Sequence, residues 1–144
     1  MQNFPHQYKA KAHTDMGGTV LLSGDGLDTI SSAPPAELGG PGDEWSPETL
    51  MTASVAGCFA LTFRAIARAS RLEWSSLRCE VEGTLDRADS STRFTGFVVR
   101  ATLTVPEGID QGKARRLLEK AEEGCLITNS LCGPTRLESE VSQG

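Results

Sequence analysis

Residues 46–71, SPETLMTASVAGCFALTFRAIARASR, constrain the fold more than any other stretch of the chain. Ser46 is a good N-cap, Pro47 suits the first helical position, and Glu48 complements the positive end of the helix dipole. Leu50, Met51, Ala53, Val55, Ala56, Phe59, Leu61, Phe63 and Ile66 then spread around most of the cylinder. Charge enters only at the C-terminal end, with Arg64, Arg68 and Arg71. A helix that is apolar all round is buried on all sides. In a chain of 144 residues the remainder is barely large enough to wrap such a rod, which points to a second subunit. One cysteine, Cys58, sits near the middle of the helix.

The flanking segments read as sheet. In residues 1–45, YKAKAH (8–13) alternates weakly. TVLLS (19–23) and LDTIS (27–31) flank Gly24-Asp25-Gly26, a hairpin turn able to take positive φ. The loop SAPPAELGGPGDEW (32–45) holds three prolines and three glycines, which excludes regular structure and marks it as functional or mobile. Residues 77–105 carry the clearest strand signal. Leu77, Cys79, Val81 and Leu85 share one face, and Arg78, Glu80, Glu82, Thr84 and Asp86 the other. After a turn at 87–92, Phe97, Val99, Ala101, Leu103 and Val105 share a face again, so one side of the sheet is wet and the other covered. Residues 110–124 form a second helix, capped by Asp110 and stopped near Gly124, with a stripe of Ala114, Leu117, Leu118 and Ala121. Residues 135–141 alternate as a final strand. The order is α+β: antiparallel sheet with the central helix against its covered face, in one domain.

A net charge of -5 and a pI near 5.0 give no basic footprint for nucleic acid or an anionic membrane. No apolar run reaches membrane-spanning length without charge, and MQNFPHQYKAKAH at the N-terminus has no apolar signal core. The expectation is a cytoplasmic protein with no nucleic-acid or membrane partner. In that reducing compartment Cys58, Cys79, Cys125 and Cys132 are reactive, metal-bound or inert rather than statically bridged.

Cys79 lies on the apolar face of a strand, where a core thiol is the default. Cys132 precedes Gly133-Pro134 as a loop cysteine. His6 and His13, like Cys125 and Cys132, are seven apart, which is no zinc-ligand spacing. Gly39-Gly40-Pro41-Gly42 lacks the lysine and preceding strand of a phosphate loop. No metal or cofactor is expected. For Cys58 two readings stand. Cysteines in apolar helices are ordinarily buried and inert. Against that, Ala56, Gly57 and Ala60 leave open space around the sulfur, and Cys125 follows a helix stop that can aim it inward. A nucleophilic thiol with a second thiol nearby is the minimal equipment for peroxide chemistry: the first becomes a sulfenic acid and the second condenses with it.

The pattern SPETL…AGCFALTF, followed 67 residues after Cys58 by Cys125 in EKAEEGCLITNSL, resembles the OsmC/Ohr family of thiol peroxidases, the osmotically inducible and organic hydroperoxide resistance proteins. The resemblance covers nearly the whole chain. It implies an α+β fold with sheets wrapped around two long helices, and an intertwined homodimer with its active sites at the subunit interface. By the same resemblance Cys58 is the peroxidatic cysteine, Cys125 the resolving cysteine and Glu48 the family's helix-start glutamate. The implied activity is reduction of organic hydroperoxides, with a cellular dithiol as reductant. Two other functions stand beside it: an OsmC-like dimer that binds a small apolar or electrophilic ligand without turnover, and a redox sensor that oxidises once.

Two expectations follow. Glu48 and Cys58 are ten residues apart, about 15 Å along a regular helix and about 80° around it, so Glu48 serves the site only from a partner's helix or else only complements the dipole. Family peroxidases carry an arginine before the first cysteine that stabilises its thiolate, and this chain has none before Arg64. Burial then raises the Cys58 thiol, which is expected to titrate above pH 7, with Lys9, Lys11, His13 and Arg64 as the available cations.

Overall fold

A computed structural model describes residues 2–144, and the chain divides into two compact units, Met1–Leu50 and Met51–Gly144. The first unit is a three-stranded antiparallel meander of β1 (Lys11–His13), β2 (Val20–Ser23) and β3 (Ile30–Ser32). Gly26 takes φ 73° in the β2–β3 turn, and Leu27 N–H donates to Gly24 O at 3.1 Å. This closes the hairpin read from the glycine bracket, pairing Leu22 with Ile30. Of the weakly alternating residues 8–13, only the last three pair. The proline-glycine loop holds one 3-10 turn, Ala36–Leu38, and folds back tightly enough that a Cβ at Gly40 would collide with the Pro34 carbonyl. Its end is pinned by Ala33 N–H donating to Trp45 O at 3.0 Å.

Helix α1 (Pro47–Ala69) starts in the first unit and continues into the second. Its cap is reciprocal: Thr49 N–H donates to Ser46 Oγ at 3.1 Å, and Ser46 N–H donates to Thr49 Oγ1 at 2.8 Å.

In the second unit, β4 (Ser76–Ala88), β5 (Ser91–Val105) and β6 (Thr135–Gln143) form a sheet with β5 in the centre. Asp89 and Ser90 take φ 51° and 68°, so two residues close the β4–β5 hairpin and the strands run further into 87–92 than their alternation indicated. β4 and β5 pair antiparallel, but β5 and β6 pair parallel, a departure from the all-antiparallel expectation. The reason is connectivity. Helix α2 (Gln111–Glu123) and the short α3 (Leu126–Asn129) carry the chain back to the end where β5 began.

The core gathers Val55, Phe59, Phe63 and Ala67 of α1, the five alternate residues Phe97 to Val105 of β5, and Ala114, Leu117, Leu118 and Ala121 of α2. Phe63 meets Trp74 edge-to-face with centroids 5.4 Å apart. Asp110 caps α2 by accepting from Lys113 N–H at 3.1 Å, and Lys113 Nζ donates to Ser70 O at 3.0 Å, covering the C-terminal end of α1. The opposite sheet face is charged, with Arg100 bridging Glu82 and Glu138 at 3.6 and 3.2 Å.

The expectation of a helix buried on all sides is not met within one chain. The four residues of the buried stripe recur every fourth position, while Met51 and Leu61 are 39% and 61% exposed. By length and composition α1 is able to cross a membrane, with Arg64 and Arg68 inside its span, yet its apolar stripe lies in a protein core.

Candidate functional site

Cys58 follows Val55 and precedes Phe59, both fully buried, and so sits half-buried at the margin of the core stripe. Cys125 is placed by the end of α2. Gly124 N–H donates to Lys120 O at 2.9 Å, the chain turns, and Cys125 becomes the extended cap residue of α3 with φ -69° and ψ 112°. Its carbonyl accepts from Asn129 N–H at 3.1 Å and from the Thr128 hydroxyl at 3.2 Å. Its side chain is 1% exposed.

This turn brings two thiols and a helix start together. Burial pushes the Cys58 thiol up, but four hydrogen bonds outweigh it and hold it below the ordinary thiol value: from Ile127 N–H, the Cys125 thiol, the Thr62 hydroxyl and Leu126 N–H. Thr62 Oγ1 lies 3.9 Å from Cys58 Sγ. The first N–H groups of a helix have no partner within it, so Leu126 and Ile127 are free to donate to sulfur. Donors to the charged form favour it.

The expectation that burial would leave Cys58 raised is therefore corrected. No charged side chain among the described residues is a source of its shift. Lys11 and His13 lie 3.7 Å from Asp25 and Asp15 respectively, within the first unit. Amide and hydroxyl donors take the place of a cation. They escaped the sequence reading because a backbone N–H has no residue signature and Leu126 and Ile127 are nearly 70 positions from Cys58. Thr62 was legible in principle, four residues beyond Cys58 on the same helix face.

The other candidates are placed as follows. Glu48 occupies the first turn of α1 in the first unit, with one carboxylate oxygen buried, whereas Cys58 and Cys125 belong to the second. Cys79 is half-buried on β4 opposite Ala101, and its thiol is pushed up to about 11 by burial and, secondarily, by the charge of Cys125. Cys132 is exposed. Among the described residues no three His, Cys, Asp or Glu side chains are grouped to hold a metal ion.

An α+β frame that sets a hydrogen-bonded thiol against a second, buried thiol defines a paired-cysteine protein. The OsmC-like protein family model matches residues 40–140, and the chain belongs to that family. It is similar to the uncharacterized protein YmaD of Bacillus subtilis, 27% identical over 95% of this chain and 94% of that protein. Among solved structures, an organic hydroperoxide resistance protein OsmC of Legionella pneumophila is 29% identical, with a TM-score of 0.75 over 97% of this chain and 99% of that one. An OsmC-like protein of unknown function from Vibrio cholerae is 18% identical and shares the fold at a TM-score of 0.86, over 94% of this chain and all of the other.

Proposed function

We propose that the protein is a cysteine peroxidase that reduces organic hydroperoxides. The observation that carries this reading is the Cys125 thiol in hydrogen-bonding contact with the Cys58 sulfur, whose thiol is held below its ordinary value by converging donors. The similarity to the hydroperoxide resistance protein of Legionella pneumophila supports the substrate class. The Cys58 thiolate attacks one peroxide oxygen. An S–O bond forms as the O–O bond breaks, and the alkoxide leaves, taking up the proton the thiol had released, as an alcohol. The resulting sulfenic acid is attacked by Cys125, an S–S bond forms and water departs. A dithiol then reduces the disulfide by exchange, regenerating both thiols and leaving as its own disulfide. The donors from α3 hold Cys58 beside its resolving partner, so no large movement is needed between the two steps.

The test is mass spectrometry after one equivalent of cumene hydroperoxide. A Cys58–Cys125 disulfide is expected, and four thiols surviving intact would overturn the peroxidase. Steady-state consumption of peroxide with a dithiol separates it from a sensor, which oxidises once and stops, and from a ligand binder, which does neither.

We infer further that the working form is a homodimer in which a partner covers Met51 and Leu61 on the open side of α1. Glu48 then acts from the partner's helix. Sedimentation velocity at micromolar concentration is expected to give a dimer. A stable monomer would remove both statements and leave Glu48 with its dipole role alone.

A further inference from the structure

Thr62 stands one helical turn beyond Cys58, and the two side chains share a face of α1. Its orientation is held from the other side. A Cβ built on Gly124, the residue before Cys125, would lie 3.6 Å from Thr62 Cγ2, an ordinary contact distance. The β-branched side chain thus has its methyl toward the α2–α3 junction and its hydroxyl at Cys58 Sγ, 3.9 Å away. Branching at Cβ restricts the side chain to few rotamers, and the one adopted here divides methyl and hydroxyl between these two neighbours.

The hydroxyl differs from the two amide partners of the sulfur in one respect. The Leu126 and Ile127 amides only donate, whereas a hydroxyl both donates and accepts. A thiol can donate its proton to Thr62 Oγ1 while the threonine hydrogen turns to the carbonyl four residues back, a known alternative for helical threonines. A thiolate has no proton to give and takes the threonine hydrogen instead. We propose that the Thr62 hydroxyl is the adaptable hydrogen-bond partner of the Cys58 sulfur, accepting from the thiol and donating to the thiolate, and that it holds the nucleophile facing Cys125 in both states.

The titratable groups around this sulfur are Cys125 at the cap of α3 and, beyond it, Cys79 on β4. Glu122 and Glu123 close α2, and Arg64 lies two residues past Thr62 on α1. Hydroxyl removal at Thr62 changes none of these charges, which isolates its effect.

The importance of Thr62 rests on the peroxidase reading, but its test does not. The rate of iodoacetamide alkylation at Cys58 is followed against pH by peptide mass spectrometry. Thr62→Val, nearly the same shape without the hydroxyl, is expected to raise the alkylation midpoint by about half to one pH unit, a loss of thiolate of about three- to tenfold below the midpoint. Thr62→Ala is a second hydroxyl-free variant and should do the same, while Thr62→Ser should keep the wild-type midpoint. An unchanged midpoint in Thr62→Val or Thr62→Ala overturns the assignment, as does an equal rise in Thr62→Ser, which would mark a packing role only. Absence of peroxide turnover in the wild-type chain would count against the peroxidase alone, because the midpoint is read without peroxide.

Discussion

Cys58 and Cys79 are both half-buried and both are influenced by Cys125, yet their thiols move in opposite directions. Desolvation raises each. Cys79 stays raised, at about 11, because nothing donates to its sulfur strongly enough to offset burial. Cys58 falls below the ordinary value because donors converge on it. The contrast comes from secondary structure. Cys79 belongs to a strand whose backbone is paired with β5, Cys79 facing Ala101 across the ladder. Cys58 faces the start of α3, where the first N–H groups have no carbonyl of their own. Burial alone does not make a thiol inert. The supply of unspent donors around the sulfur decides.

The largest expected effect of this difference is on reactivity. With the Cys58 thiol held below the ordinary value by its donors and the Cys79 thiol pushed up to about 11 by burial, Cys58 carries much the larger thiolate fraction at neutral pH. Pulse alkylation of the folded protein at pH 7, with Cys58→Ser as background, should label Cys58 first and leave Cys79 untouched. Comparable rates at the two positions would break the comparison.

A smaller effect should be visible in stability. Cys79 keeps its proton to a higher pH folded than unfolded, so its contribution is fully present below about 9 and lost as pH rises toward about 11. Cys58 works the other way. Its folded value is depressed, so its contribution is full above the unfolded value and is lost as pH falls through the folded one. Urea unfolding between pH 9 and 11 should therefore show an alkaline loss of about 1 kcal/mol, after discounting for partial exposure, that disappears in Cys79→Val. A loss that persists in Cys79→Val would place its origin elsewhere in the chain.

Much of the frame was legible because it rests on local rules. The alternation from Phe97 to Val105 predicts the buried face of β5, and each of those residues is buried. Ser46 and Asp110 were readable as caps from residue type and position, and both make the cap hydrogen bond. Gly24-Asp25-Gly26 marks its hairpin because a turn of that length needs positive φ. The direction of β6 was not legible. TRLESEV alternates in the same way whether it pairs parallel or antiparallel, and the choice falls to the crossover through α2. Nor was the open side of α1, since an apolar side chain carries no mark of whether its own chain or another covers it.

For the candidate site the division is the same. The sequence by itself determined that a cysteine stands in the middle of an apolar helix among small residues, and that another follows a helix stop, because helix periodicity and stop signals act over a few residues. Only the tertiary structure decided that the two meet, that Thr62 joins them, and that the start of α3 is aimed at sulfur. Those relations depend on how α1, α2 and the α2–α3 turn pack around one core. The groups that set the Cys58 thiol are chiefly backbone amides, which every residue but proline carries and no residue advertises.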